Sequence, residues 1–513
     1  MENKTLTKYA GNVALGTMLS RILGYIRDRL VANLFGTSMF ADAFYAAFRI
    51  SNLFRRIFGD GSFSVAFVPV FNEYLNGKER ALTQNFLDAV FSALCLILII
   101  VSVLGMFFVP VFTKIFAGGF SDDPVKMQLT IEITRLMFPF IFFICLASFL
   151  LSTLNTLHTF FLPAVAPAAL SFSEVFYIFL IAPIIVPGSQ IKGLAVSVVV
   201  GGLVHFFVQY PKLKSLGWNL KFKLNLKHPG VKKIISLMIP SIIGLSADQV
   251  NILVDSGCAS SLGQGSVTAL YYSNRLMQMP LGIFGLALAT VSLPVMSNAY
   301  SKNDILTLKE SLSYSIRFTI FTLFPAATGL MVIGLPIVKL LFEGGKFDCL
   351  GSVMTNNALF YYSLGLPAYA LVKIFANAFY SFQDTKTPVR TAIWAMALHI
   401  ILCFVLMYRM GVGGLALATS LSAYFNLLLL IIYLKKRIGR LNIQQILFSF
   451  LKTLLASVIT GIVSYNVCKI SERLFISVPI SIISGVMIFV LVSYILKSEE
   501  LRVVLFNIVS GKI

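Results

Sequence analysis

The run Ser20-Arg21-Ile22-Leu23-Gly24-Tyr25-Ile26-Arg27-Asp28-Arg29 puts four charges into a stretch otherwise apolar enough to cross a membrane. Residues 9–73 read as two long apolar helices, and they also carry Asp42, Arg49, Arg55, Arg56 and Asp60. One charge at the bilayer centre costs about 2.5–3.5 kcal/mol on insertion scales. Several in neighbouring spans therefore need an explanation, and the usual one is a water-filled, protein-lined cavity for a charged solute. Here the cavity is net positive, so the solute it fits is anionic.

Working outward, the 513 residues are 58% hydrophobic and 12% charged, against roughly 25% charged in a soluble domain. Apolar runs of span length recur from end to end, which predicts an all-α polytopic membrane protein. A β-barrel needs short alternating strands, and the sequence has no such pattern. The hydrophilic start, Met1 to Lys8, leads straight into the first span, so no cleaved signal peptide is expected. The net charge of +20 is best read as topology rather than nucleic-acid binding, because basic residues collect in cytoplasmic loops. Cys95, Cys145, Cys258, Cys349, Cys403 and Cys468 are scattered, and the four histidines do not cluster, so neither a metal nor a cofactor is expected. There is no phosphate-binding G-x-x-x-x-G-K-[ST] motif and no catalytic triad pattern. This points away from an ATP-driven pump and from an enzyme.

Fourteen transmembrane helices are predicted, near 9–35, 41–73, 86–115, 129–154, 163–186, 191–210, 231–261, 267–299, 306–342, 356–382, 387–408, 412–434, 445–468 and 475–496. The loop 211–233 carries Lys212, Lys214, Lys221, Lys223, Lys227, Lys232 and Lys233, and the loop 435–444 carries Lys435, Lys436, Arg437 and Arg440. Both fall on the side of the N-terminus, so both termini are expected in the cytoplasm.

The chain also resembles itself. At an offset of 226 residues Arg49 aligns with Arg275, Ile57-Phe58-Gly59 with Ile283-Phe284-Gly285, and Phe116-Ala117-Gly118-Gly119 with Phe342-Glu343-Gly344-Gly345. Pro139 aligns with Pro367 at 228. Six spans separate equivalent helices, an even number, which gives a parallel repeat of the kind transporters use. The expected layout is an N-lobe at 1–210, a basic cytoplasmic linker at 211–230, a C-lobe at 231–438, and two further spans with a cytoplasmic tail at 443–513. Spans thirteen and fourteen read equally well as a docking surface for a long apolar group or as packing.

Arg21 and Arg27 lie roughly 9 Å apart along the first helix and differ by about 120° in facing, so both can border a wide cavity. Asp42, Arg49, Arg56 and Asp60 fall on one helical stripe, with Arg55 bordering it. Arg275 is the repeat partner of Arg49. Guanidinium groups offer paired planar donors that match phosphate oxygens and remain charged at any relevant pH, so several around one cavity suit a diphosphate. The competing reading is that they snorkel to the interface or pair with Asp28, Asp42 and Asp60. Asp248, Asp255, Lys339 and Lys373 are further buried-charge candidates, and Asp248 is open to either a coupling cation or an arginine partner. Prolines and glycines within the spans suit helices that bend.

Residues 20–28, Ala41-Asp42-Ala43-Phe44, Asn52-Leu53-Phe54-Arg55-Arg56-Ile57-Phe58 and Ala66-Phe67-Val68-Pro69 resemble the MurJ (MviN) lipid II flippases. Tyr271-Tyr272-Ser273-Asn274-Arg275-Leu276-Met277 and Gln383-Asp384-Thr385-Lys386-Thr387-Pro388 carry the resemblance into the second half. It implies the multidrug/oligosaccharidyl-lipid/polysaccharide exporter architecture. It also implies a lipid-linked peptidoglycan precursor as substrate, moved from the inner to the outer leaflet of the bacterial cytoplasmic membrane by alternating access through a cationic central cavity. The family's essential arginines map to Arg21, Arg27, Arg55 and Arg275, with Asp42 and Arg49 at further cavity positions. The last two spans would hold the polyprenyl tail. Where relatives often have acids, this chain has Asn274 and Gln278, which makes its cavity more positive. The expected partners are lipid II and membrane lipids, not nucleic acid; the chain is expected to act as a monomer, with a cell-wall synthesis complex as a further setting. The alternatives are a flippase for another polyprenyl-diphosphate glycan, a cation-coupled drug exporter, and a scaffold with a degenerate cavity.

Overall fold

The computed structural model describes the backbone of residues 2–439 and 441–509, with side chains apart from those of 2–14, 60, 240, 241, 243–248, 504 and 506–509. Arg440 and the side chains of Asp60 and Asp248 therefore lie outside the described residues. The described chain is helical, with one isolated bridge between Gly344 and Phe347. That bridge closes a tight turn that Gly345, at φ 56°, permits.

The first span is α1 (Glu2–Phe35). The second comprises α2 (Met39–Arg55), a π-helical turn (Arg56–Asp60) and α3 (Ser62–Gly77). The third is α4 (Arg80–Phe116), and the fourth is split at Phe138 into α5 (Pro124–Met137) and α6 (Pro139–Thr156). The fifth is built of short pieces: α7 (Phe161–Val165), α8 (Ala168–Phe176), a π turn (Tyr177–Ile181) and a 3-10 turn (Ala182–Ile184). Then come α9 (Gln190–Ser215) and α10 (Pro229–Ser260). The eighth span is α11 (Ser266–Pro280), a π turn (Leu281–Leu286) and α12 (Ala287–Ser301). The ninth is α13 (Ile305–Val332) and α14 (Gly334–Phe342). Single helices follow: α15 (Cys349–Ser381), α16 (Lys386–Met410), α17 (Val412–Ile438), α18 (Ile443–Lys469) and α19 (Leu474–Ile495).

Each of the fourteen expected spans thus has a helical counterpart, but five are broken where continuous helices were expected. The breaks fall at glycine and proline. Gly59 and Gly61 mark the first π turn, Pro280 precedes the second, and Pro139 opens α6 with its missing N–H at an end that needs none. Ten of the described helical stretches are long and apolar enough to cross a membrane, and this is a multi-pass membrane protein. The tail expected after span fourteen contains a further helix, α20 (Glu499–Val509). It is fastened back to the bundle: Glu500, 3% exposed, accepts from Ser449 at 3.0 Å and pairs with Arg317 at 3.4 Å.

The chain forms two compact units, residues 1–267 and 268–513. In the first, a column of rings fills the space between α3, α4 and α6. Phe63, Phe67, Phe71 and Phe86 stack in succession, and Phe149 meets Phe67 at a tilt. The i, i+4 spacing of Phe63, Phe67 and Phe71 puts them on one face of α3. In the second unit, Met296, Leu308, Leu312, Ile374, Phe379 and Leu430 belong to one core contributed by α12, α13, α15 and α17.

The repeat seen in the sequence recurs in local structure. Ile57-Phe58-Gly59 and Ile283-Phe284-Gly285 both lie in π turns, and α4 and α14 both end at the phenylalanine of their matching Phe-x-Gly-Gly runs.

Candidate substrate-binding site

On α1, Arg21 is exposed and Arg27 is 7% exposed. This follows from their difference in facing. The Arg27 guanidinium reaches its neighbour Asp28 at 2.6 Å and Glu174 of α8 at 3.3 Å. Both carboxylates are buried, so the hydrogen bonds are charge-assisted in a site that water scarcely reaches. Glu174 was not anticipated from the sequence. Its signal was a single carboxylate in the apolar run 163–186, of the same kind as the arginines of α1. Arg29 is half-buried.

Burial varies along the predicted stripe of the second span. Asp42, at its start, is fully buried, Arg49 is half-buried and Arg56 is exposed. The π turn begins at Arg56, so it lies after Asp42 and Arg49 and takes in the end of the stripe, where the side chain of Asp60 lies outside the described residues. Arg55, just before the turn, is half-buried and donates to Asn52 at 2.8 Å. Within this turn Gly59 packs against Cys145 and Ser148 of α6, where a side chain would crowd both. An apolar cavity of about 220 Å³ opens beside it, lined by Phe58, Phe63, Leu94, Ile97, Ile234 and Met238 among others.

Asp42 lies about 20 Å along the second span from Arg55, counting 1.5 Å per residue. Its carboxylate accepts from Lys126 Nζ of α5 at 2.8 Å and from the backbone N–H of Gly265 at 2.8 Å. Lys126 is itself buried and sits over the Phe120 ring. Three pairings thus stand out among these residues of the first unit. Arg27 has its two acids, Arg55 its asparagine, and Asp42 its lysine.

Two polar residues of α9 were also missed. His205 is 4% exposed with no hydrogen bond to either ring nitrogen, and it lies within electrostatic reach of Arg55. Gln209, one turn on, donates to the Ala147 carbonyl of α6 at 3.2 Å. A histidine four residues before a glutamine in an apolar span was visible, but nothing in the sequence tied it to Arg55.

In the second unit Arg275 is half-buried on α11, ahead of the π turn at Leu281–Leu286, as Arg49 precedes the π turn of the first unit. Gln278 donates to Asn274 at 2.5 Å. Of the remaining candidates, Asp255 is buried, Lys373 is exposed, and Lys339 is half-buried and 3.8 Å from Glu343.

Comparison with known proteins adds to this geometry. A family model described as "Lipid II flippase MurJ" matches residues 31–486. The chain is 34% identical over 478 residues to a probable lipid II flippase MurJ of Buchnera aphidicola subsp. Acyrthosiphon pisum, covering 92% of this chain and 93% of that one. It is 37% identical over 426 residues to the lipid II flippase MurJ of Burkholderia cenocepacia, with 82% of each covered. A solved structure of a lipid II flippase MurJ in an inward closed conformation superposes with TM-score 0.80 at 28% identity, over 94% of this chain and 98% of that one. A multidrug resistance MATE family transporter of the MOP superfamily, inward-facing, superposes with TM-score 0.67 at 13% identity over 82% and 94% of the two chains, a likeness of fold alone.

Proposed function

The chain belongs to the lipid II flippase MurJ family, and from that premise we propose that it translocates lipid II from the inner to the outer leaflet of the bacterial cytoplasmic membrane by alternating access. It is a transporter and carries out no chemical conversion. The binding set proposed is Arg21, Arg27, Arg49 and Arg55 with Asp42 in the first unit, and Arg275 in the second. The observation that supports this reading is the placing of six arginines on the first two spans, Arg21, Arg27, Arg49 and Arg55 among them, where an anionic cargo in a wetted path would help repay their desolvation.

Arg27 has the central role. Before cargo arrives, Asp28 and Glu174 occupy its donors. A diphosphate offers paired oxygens and more charge than either carboxylate, so binding is an exchange of carboxylate for phosphate rather than capture by an empty cation. Such an exchange holds the buried charge at every stage and avoids the cost of exposing a bare guanidinium to hydrocarbon. Asp42 joins the path when its pair with Lys126 opens. The 6+6 repeat with lobes at 1–210 and 231–438, the linker 211–230, cytoplasmic termini, action as a monomer and a place within cell-wall synthesis complete the reading.

The test is to deplete the protein in its host and assay which leaflet holds lipid II. Accumulation in the cytoplasmic leaflet, reversed by the wild-type gene, is the expected result. If lipid II still reaches the outer leaflet while a different polyprenyl-diphosphate glycan is trapped, the substrate assignment is wrong.

A further inference from the structure

The segment between α9 and α10 is a built surface rather than a slack connection. It leaves Ser215 and runs extended along α4. The carbonyls of Leu216 and Gly217 accept from Arg80, and the Trp218 ring lies under the same guanidinium. The Asn219 carbonyl accepts from Gln84. The N–H of Lys221 donates to Asp88 at 3.0 Å, and that of Lys223 to Ser92 at 2.7 Å. The α4 partners advance by four residues at each step, so the segment follows one stripe of that helix. From Arg80 to Ser92 is about 18 Å along the axis, and an extended chain from Gly217 to Lys223 spans about 20 Å, so the two run in step. Asp88, with no exposed surface, also accepts from Gln84 at 2.8 Å and is the fixed centre of the attachment.

This path has a direction. Residues 89–113 of α4 carry no charge, and a hydrocarbon layer needs roughly 20 such residues. Ser92 therefore sits at the edge of that layer, and the segment descends to it. It then turns back, because the His228 ring lies 5.8 Å from those of Tyr74 and Phe86, nearer the start of α4. At the far end of this excursion Phe222, Leu224 and Leu226 are 65%, 49% and 47% exposed. They alternate with Lys221 and Lys223, and Lys227 follows; all three lysines are exposed. Lys212 and Lys214 end α9, and Lys232 and Lys233 begin α10.

We infer that residues 216–228 form an interfacial lipid-binding element, in which Phe222, Leu224 and Leu226 enter the acyl boundary of the leaflet on the basic side and Lys221, Lys223 and Lys227 take anionic phospholipid headgroups. Extended backbone carries polar groups that hydrocarbon cannot satisfy, so the element stops at the headgroup layer. The interleaved ammonium groups then lie where an anionic leaflet attracts them most strongly. This inference needs only that the chain spans a membrane and does not depend on the cargo proposed above.

The experiment uses the full chain in nanodiscs of phosphatidylglycerol or phosphatidylcholine brominated on the acyl chains. Phe222→Trp, and Leu224→Trp as a second probe, add emission over the wild-type background of Trp218 and Trp394. The expected result is loss of most of the added emission in brominated phosphatidylglycerol. That loss should be smaller in phosphatidylcholine, and smaller again once Lys221→Gln, Lys223→Gln and Lys227→Gln are combined with the probe. If iodide in the aqueous phase quenches the added emission of both probes and the brominated lipids do not, the element lies in water and the inference fails; a protein partner would then be the occupant to seek. Neither outcome depends on transport, so failure here leaves the leaflet assay of lipid II intact.

Discussion

Arg27 and Glu174 stand 147 positions apart in sequence and 3.3 Å apart in space, joining α1 to α8 through a pair that is buried on both sides. Asp28 accepts from Nε and Nη2 of the same guanidinium. On the binding role proposed for Arg27, a diphosphate exchanges with one of these carboxylates as it enters.

Glu174→Gln weakens one of the two competitors. A hydrogen bond to a charged group contributes roughly 1.5–3 kcal/mol, and every 1.4 kcal/mol is about tenfold in affinity. The expected outcome is tenfold or more tighter binding of a short-chain polyprenyl diphosphate, with slower export because release is slowed in turn. Calorimetric titration of the purified variant checks it. Weaker binding would show that Glu174 orients Arg27 for the cargo rather than competing with it.

The Asp42–Lys126 pair predicts a stability effect. Removing one member strands a buried charge, at a cost of about 3–5 kcal/mol. Lys126→Met should therefore lower the thermal midpoint in detergent substantially, and adding Asp42→Asn should recover part of the loss, since the asparagine carbonyl can still accept from Gly265. A double variant no more stable than Lys126→Met would mean that the lysine matters through its packing on Phe120 instead.

Adjacent glycines give a contrast that composition alone cannot. A Cβ on Gly118 meets nothing, whereas one on Gly119 runs into the backbone of Ser260 and Ser261. Gly118→Ala should be neutral and Gly119→Ala should cost about 1–3 kcal/mol, as overpacking does. Equal midpoints for the two variants in a thermal melt would refute this placement.

How much of this was legible beforehand varies by element. The helices were, because apolar periodicity and length are local signals. Their interruptions were readable only as a surplus of glycine and proline; the π turns at 56–60 and 281–286 depend on packing, as at Gly59 against α6 and Gly285 against Ala370. The arginines stood out because each is costly in a span. Their partners did not, since Glu174 and Lys126 lie far off in the chain. The Gln383–Pro388 motif was visible without its reason, which is that Asp384 accepts from the Thr387 N–H at 3.0 Å and pairs with Arg437 at 2.8 Å.

That loop also titrates. Burial alone would raise the Asp384 carboxyl, but the backbone and hydroxyl of Thr387, with Arg437 beside them, outweigh it and hold the group below the ordinary carboxylate value. A depressed folded pKa contributes stability in full above the unfolded value of about 3.9, and this contribution is lost as pH falls through the folded one. Asp384→Asn should therefore be less stable than wild type near neutrality, with the gap closing in acid. Thermal melts at pH 7 and pH 3 check it, and a gap unchanged at pH 3 would mean that the loss came from packing.

The most direct measurement is complementation of the depleted host by Arg21→Ala, Arg55→Ala and Arg275→Ala, each first shown to be folded and membrane-inserted, with lipid II assayed in each leaflet. The account predicts that all three insert normally and leave lipid II in the cytoplasmic leaflet. Normal export by all three would contradict the cationic binding set on which the account rests.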